Sequence, residues 1–439
     1  MTRSTGYVAR VARATPPERD RYVDLLRGVA IVAGHWLLAS PFTRDDGTLS
    51  GLSVLAVAEW TYWFTWPFQV MPIFFVVGGY ANATSWRRHA DSDGTWSAWV
   101  HRRSVRLLAP TAVFVSATIV AVVSANLAGV HPATLEEAGW VAGVALWFLA
   151  VYVAVAGLTP LTYSLHVRFG LTADIVLAVI VVAGDLVRFV TGDPGWAFAN
   201  FVLGWVLIHQ LGYWWREGTL PAAVTRPLLL SAGAAVVLVV LVVVGPWPVS
   251  MVDVTGATLH NSSPPSVALL TFVAVQMGIV VAVADRARAW LRRPVVWALV
   301  ATLNRVVLTL FLWHMVAAVI GAAALYGTGL LPEPEPLSAG WIAWRPVWLA
   351  TLAVIAAGLV TVSAPVEQRT GGPVRARRNR PEVAGVLVGF GVPLACAGLA
   401  RLTVGGLAGD GPLAIPVVGL AVFAAGTTMT FVAGRLTEP

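Results

Sequence analysis

The chain has 439 residues, 57% of them hydrophobic and only 12% charged, with a mean hydropathy of +0.76. A soluble domain carries about 25% charged residues to keep its surface wet, so this composition excludes a water-soluble enzyme or DNA-binding protein and places the chain in a membrane. The formal charge of +7 and pI near 10.1 would otherwise point to nucleic acid, but all 29 basic residues are arginines and their placement along the chain explains the sign.

A spanning helix needs roughly 20 apolar residues. Runs of that kind predict about twelve, near 23–40, 57–85, 105–128, 139–160, 172–190, 196–214, 227–245, 266–284, 298–326, 341–364, 383–402 and 412–434. The expected fold class is therefore all-α, a polytopic integral membrane protein of about 10–12 transmembrane helices. The first 21 residues hold Arg3, Arg10, Arg13, Arg19 and Arg21 without an apolar core directly behind a short basic start, so no cleavable signal peptide is expected. Trp86, Trp140, Trp196, Trp214, Trp215, Trp341 and Trp344 fall at span ends as interfacial anchors. The single cysteine, Cys396, excludes an internal disulfide and any cysteine cluster for zinc or iron–sulfur.

Short loops rich in arginine stay cytoplasmic. With the N-terminus inside, the inner segments collect 23 arginines and the outer loops and helix ends only Arg44, Arg188, Arg345 and Arg401, with Arg27 and Arg305 left in or near spans. That asymmetry predicts a multi-pass protein of the cell (plasma) membrane with both termini cytoplasmic. The chain is expected to divide into an N-terminal tail (1–22), a transmembrane domain of about ten helices (23–365), a basic cytoplasmic linker (366–381) and two additional helices (382–439). The longest outer loop, about 246–265, is rich in Pro and Ser.

Ionisable side chains are costly in lipid, so each one inside a span is a functional candidate. The first span reads RYVDLLRGVAIVAGHW, which sets Arg27 about one turn inside the cytoplasmic edge and His35 eight residues, roughly 12 Å, deeper. Arginine suits phosphate, and a histidine near neutrality suits proton removal from a hydroxyl. The plainer reading is that Arg27 snorkels and pairs with Asp24 at i,i+3 while His35 bonds a neighbouring helix. In the second span, WPFQVMPIFFVVGGYANATSW, Pro72 and Gly78-Gly79 interrupt an apolar helix, as is tolerated beside a cavity, and Gln69 is placed to hydrogen-bond inside the bundle. Arg103 and Arg106 share a helical face at the cytoplasmic boundary, where topology alone would also put arginines.

Further along, Asp185 and Arg188 sit at i,i+3 and are expected to satisfy one another, a structural role, and His209 and Gln210 near the inner end of the sixth span read as interfacial polar residues. His314 in LFLWHM stands about sixteen residues into the ninth span, on the outer half, with Asn304 and Arg305 nearer the cytoplasm, so a cation again lies below a deeper histidine. With no HExxH and no clustered carboxylates, no metal is indicated.

DLLRGVAI with its downstream His, PIFFVVGGY, RRSVRLLAP, WFLAVYVAV at 147–155 and LFLWHM at 310–315 come in the order and spacing of the acyltransferase 3 family, the O-antigen acetylase-like integral membrane acyltransferases. The chain resembles that family over roughly residues 20–365. The resemblance implies transfer of an acyl group, typically acetyl from acetyl-CoA as co-substrate at the cytoplasmic side, to a hydroxyl of a glycan, lipid-linked or small-molecule acceptor in the cell envelope, with no bound cofactor. It implies that His35 is catalytic and that Arg103 and Arg106 lie near the nucleotide end of CoA. Matched to the family pattern, Arg27 is its first-helix arginine and joins the acyl-CoA-binding candidates; by analogy of arrangement Arg305 joins them and His314 joins the catalytic ones, and Asp24, Gln69, Asn304 and Asp185 are supporting residues. The expected partners are the acyl-CoA donor, the hydroxyl acceptor and the bilayer, and no nucleic acid.

Two positions depart from the family pattern. Seven residues separate Arg27 from His35 where about ten are usual, and the usual gap would start at Asp24. On one helix the shorter gap turns His35 by roughly 60° relative to Arg27. Gly78 stands where the family commonly has a serine, so no hydroxyl is available there. The competing function is a secondary transporter or a lipid or glycan flippase, since Pro- and Gly-broken spans also describe carriers; internal symmetry between halves would favour it, and none is found.

Overall fold

The computed structural model describes residues 8, 10, 15–16, 19–29, 34–44, 47–369 and 380–436. Helix dominates it, as lipid demands: intrahelical hydrogen bonds satisfy the backbone groups where water is absent. Among the described residues, seven helical segments are long and apolar enough to cross a membrane: Glu59–Ala90, Trp96–Leu127, Pro132–Gly157, Val267–Trp290, Pro294–Leu325, Ala339–Pro365 and Pro381–Gly405. Thr159–Phe169 and Leu171–Thr191 make an eighth if counted as one span bent by 118° at Gly170, whose φ of +52° ends the first helix. Pro227–Val243 and Val417–Ala433 are apolar but shorter.

The helices are labelled here α1 (Arg21–Val29), α2 (Gly34–Leu38), α3 (Met71–Ala90), α4 (Trp96–Leu127), α5 (Pro132–Gly143), α6 (Leu146–Gly157), α7 (Thr159–Phe169), α8 (Leu171–Thr191), α9 (Asn200–Arg216), α10 (Pro227–Val243), α11 (Val267–Trp290), α12 (Pro294–Leu325), α13 (Ala339–Arg369), α14 (Pro381–Gly405) and α15 (Val417–Ala433). Eleven of the twelve apolar runs fall on these helices; within the first, 23–40, residues 30–33 lie outside the described residues, and helix gives way to strand at Ala39. After α2 the chain enters an antiparallel hairpin, β1 (Ala39–Thr43) against β2 (Leu49–Ser53), with Ser40 opposite Leu52 and Thr43 opposite Leu49. The cause is Pro41: it cannot donate to a helix and it drives the preceding Ser40 into extended geometry. Two carboxylates then fix the hairpin. Glu137 of α5 accepts from the Ser50 hydroxyl at 2.7 Å and the Gly51 N–H at 2.6 Å, and Glu333 accepts from the Thr43 N–H at 2.9 Å and hydroxyl at 2.7 Å.

The chain forms two compact units that alternate along the sequence. One comprises Met1–Ile31, Trp60–Arg87 and Leu158–Val307; the other comprises Val32–Glu59, Arg88–Gly157 and Leu308–Pro439.

In the first unit α3 crosses α9 at two glycines. A Cβ on Gly79 would collide with the His209 carbonyl oxygen and one on Gly212 with the Val76 carbonyl oxygen, so only glycine permits this approach. Phe75 stacks on Trp205 beside the crossing, with centroids 4.4 Å apart. Gln69 bridges the break just before α3: its amide donates to the Met251 carbonyl, and its own carbonyl accepts from Gln276 Nε2 at 2.5 Å. Asp185 and Arg188 pair at 2.7 Å, as their spacing predicts, and both are buried. The second Asp185 oxygen takes the Trp247 indole N–H at 2.7 Å and the Val267 N–H at 2.8 Å, which ties α8 to the loop ahead of α11 and to that helix's first turn. Asp185→Ala would leave the Arg188 guanidinium buried without its counter-charge, and a loss of about 3–5 kcal/mol is expected. Thermal unfolding of the detergent-solubilised chain checks this.

In the second unit α14 and α15 pack through Gly391, Gly398 and Gly426; a Cβ on Gly398 would collide with the Phe423 backbone. α14 also lies against α4 and α6, and Ala395, Leu399 and Leu402 are fully buried. The last two helices are therefore part of this unit's core.

Candidate active site

The first unit holds Asp24, Arg27, Asn304 and Arg305. Asp24 on α1 is buried; Arg19 Nε meets one carboxylate oxygen at 2.6 Å and Arg27 Nη1 the other at 3.6 Å. The hydrogen bond that Arg19 donates to the Asp24 carboxylate holds its guanidinium above its ordinary pKa. Asn304 Nδ2 donates to the Asp24 carbonyl at 2.8 Å and to the Val300 carbonyl at 2.9 Å, joining α12 to the same turn of α1, where Gly28 lies under Leu303. Asp24, Arg27 and Asn304 are thus brought together, while Arg305 is exposed. The i,i+3 pairing of Arg27 with Asp24 is present.

His209 and Gln210 differ from the interfacial reading. Both are completely buried, 0% and 1% exposed, because α9 presses its glycine face on α3 at this level. His209 Nε2 lies 3.0 Å from Asn82 Nδ2, so the amide donates and the imidazole accepts. Neither the Oε1 nor the Nε2 of Gln210 has a hydrogen-bond partner among the described residues.

The second unit holds His35, Arg103, Arg106 and His314. Arg27 lies on α1 and His35 on α2, and residues 30–33 between them, on which the spacing of the two depends, lie outside the described residues. His35 is the second residue of α2, immediately before Trp36. His314 on α12 is 2% exposed. Its Nδ1 lies 2.5 Å from the Phe311 carbonyl oxygen, which can only accept, so the neutral ring carries its proton on Nδ1 and its lone pair on Nε2. Trp36 donates its indole N–H to the His314 carbonyl at 2.9 Å.

From His314 a column of rings runs to Arg103. The Phe311 ring is 5.6 Å from His314 and 5.0 Å from Phe148, which stacks on Tyr152 at 5.4 Å and 17°. The Tyr152 hydroxyl accepts from Arg103 Nη2 at 3.4 Å. Arg103 is half-buried on α4, and its Nε is buried with no hydrogen-bond partner among the described residues; Arg106, one turn on, is exposed. Phe114 and Trp313 pack edge to face beside the column at 5.2 Å. Three fragments far apart in sequence therefore meet: RRSVRLLAP supplies the guanidinium, WFLAVYVAV the stacked pair, and LFLWHM the phenylalanine and histidine. A half-buried guanidinium, a row of packed aromatic rings and an oriented imidazole are the groups needed to hold an anion, accompany an apolar arm and move a proton.

A family model described as an acyltransferase domain, that of acyltransferase 3, matches residues 20–364. The chain belongs to the acyltransferase 3 family. Neither the curated proteins nor the solved structures yield a match. The acyltransferase 3 match begins just ahead of α1 and ends inside α13, so it covers every candidate residue in both units and leaves out α14 and α15. The protein is thus a multi-pass membrane acyltransferase. Trp36, Phe148, Tyr152 and Phe311 were not singled out among the site residues of this acyltransferase by sequence. Their only signal is membership of its motifs, because an apolar helix of near-uniform hydrophobicity does not reveal which aromatic faces a partner.

Proposed function

We propose that this acyltransferase moves an acetyl or similar acyl group from acyl-CoA, entering from the cytoplasmic side, to a hydroxyl of a glycan, lipid-linked or small-molecule acceptor of the cell envelope. The arginine asymmetry between loops supports cytoplasmic entry beside Arg103 and Arg106. These two guanidiniums meet the CoA phosphates, which need several cations to offset desolvation. The pantetheine arm follows the wall of Tyr152, Phe148 and Phe311 and brings the thioester carbonyl toward His314 and the helix of His35.

A histidine then takes the acceptor hydroxyl proton as the oxygen attacks the thioester carbon. His35 has this role by its place in the family pattern, and His314 Nε2 carries a lone pair suited to it. The C–O bond forms, the C–S bond breaks as the tetrahedral intermediate collapses, and the imidazolium returns the proton to the departing CoA thiolate. The observation that carries the reading is the continuous aromatic column from a half-buried guanidinium to an oriented, buried imidazole within one compact unit.

Labelled acetyl-CoA added to inverted membrane vesicles tests it. Wild-type vesicles should transfer label to an endogenous acceptor, right-side-out vesicles should not, and His35→Ala should abolish the transfer. Undiminished transfer by His35→Ala contradicts the role of that residue, and no transfer or hydrolysis by the wild type contradicts the reading.

A further inference from the structure

α2 ends at Leu38, where the chain turns into β1, and the last carbonyls of a helix have no intrahelical partner. In the second unit the polar groups of this turn, residues 36–40, are met by side chains of one helix. Trp348 Nε1 donates to the Trp36 carbonyl at 2.9 Å, Arg345 Nη1 donates to the Ala39 carbonyl at 2.6 Å, and Trp341 Nε1 donates to the Ser40 hydroxyl at 2.5 Å.

Residues 341, 345 and 348 are spaced i, i+4, i+7, so they form one stripe on α13. All three are buried, at 6%, 6% and 0% exposure. The Arg345 guanidinium lies over the Trp341 ring at 4.1 Å, and its other terminal nitrogen reaches the Tyr326 hydroxyl at 3.4 Å. A cation so placed complements the carbonyl dipoles at the end of α2. The turn held in this way carries His35, and its Trp36 in turn grips the His314 carbonyl.

We infer that Trp341, Arg345 and Trp348 are positioning residues for acyl transfer, a strut on α13 that fixes α2 and through it both histidines. This rests on the acyltransferase reading above. The strut touches no substrate; it sets the geometry of groups that do. A misplacement of about 1 Å at a reacting group costs on the order of a hundredfold in rate.

The test uses the full chain in detergent or vesicles, with Arg345→Met, Trp348→Phe, Arg345→Lys and, as a control on the exposed face of the same helix, Thr361→Ala. Two readouts are taken. In hydrogen–deuterium exchange, Arg345→Met and Trp348→Phe should speed exchange of residues 34–43 by about tenfold or more while the interior of α13 stays protected. In acetyl-CoA kinetics they should lower kcat by about tenfold or more with KM for acetyl-CoA within about twofold, since Arg103 is untouched. Arg345→Lys, which keeps a donor to the Ala39 carbonyl, should restore part of both, and Thr361→Ala should match the wild type. Unchanged exchange at 34–43 in both loss-of-donor variants overturns the strut whatever the kinetics show. Faster exchange with wild-type kcat, or loss of kcat with no rescue by Arg345→Lys, overturns its role in catalysis. If the wild type itself turns over no acetyl-CoA, the acyltransferase reading fails, and the exchange arm alone decides whether α13 holds α2.

Discussion

Replacing His314 with alanine is expected to lower kcat/KM for acyl transfer about 10²–10⁴-fold, the usual contribution of a positioned acid–base group. The effect should reach chemistry without unfolding the chain. Trp36 donates to the His314 backbone carbonyl, which alanine keeps, so the contact between α2 and α12 survives. The variant loses the ring edge beside Phe311 and the bond from Nδ1 to the Phe311 carbonyl. Single-turnover release of the CoA thiol, measured beside the melting temperature, separates a chemical defect from a structural one. Wild-type rates in a folded His314→Ala chain would leave His35 as the sole base and remove His314 from the mechanism.

Arg103→Ala is expected to act on a different parameter. Its buried Nε and its Nη2 beside Tyr152 suit it to phosphate or to the first carbonyl of the pantetheine arm, both encountered before chemistry. Loss of a charge-assisted contact of roughly 1.5–3 kcal/mol raises KM for acyl-CoA by about ten- to a hundredfold and leaves kcat less affected. Arg103→Lys should recover little, because a point charge cannot serve phosphate and the Tyr152 hydroxyl with the same fork. Initial rates over a range of acetyl-CoA concentrations decide the matter: a fall in kcat at constant KM would place Arg103 in the transition state instead of the binding step.

The contrast between these variants follows from what the amino-acid order can and cannot specify. Long apolar runs set most of the helices from α3 to α15, since in lipid length and hydrophobicity dictate helix, but not α7 (Thr159–Phe169), which falls between the runs 139–160 and 172–190. Asp185 with Arg188, and Asp24 with Arg27, were legible because i,i+3 spacing on one helix is local geometry. The first run, 23–40, was legible to within two residues of its end, since helix stops at Leu38; the hairpin that follows from Ala39, with Pro41 in it, was not, because its strands are short and its pairing is not local. His209 was placed at an interface because its partner Asn82 lies 127 residues away and only the glycine contact between α3 and α9 brings them together. The column from Arg103 to His314 was legible in its two ends, one a cation among arginines and the other a histidine deep in a span. Its middle is a set of aromatic contacts between α4, α6 and α12, and such contacts leave no periodic trace in helices that are apolar on every side. The stripe of Trp341, Arg345 and Trp348 has a helical spacing, but nothing in sequence says that it faces the junction of α2 and β1 and the acceptors exposed there.

The measurement that bears most directly on the whole account is the release of free CoA thiol from acetyl-CoA by the purified full-length chain in the presence of a membrane extract as acceptor source. The account predicts sustained release by the wild type, reduced at least about a hundredfold in both His35→Ala and His314→Ala while their melting temperatures stay near that of the wild type. Release that is absent from the wild type, or that persists in both folded histidine variants, would contradict it.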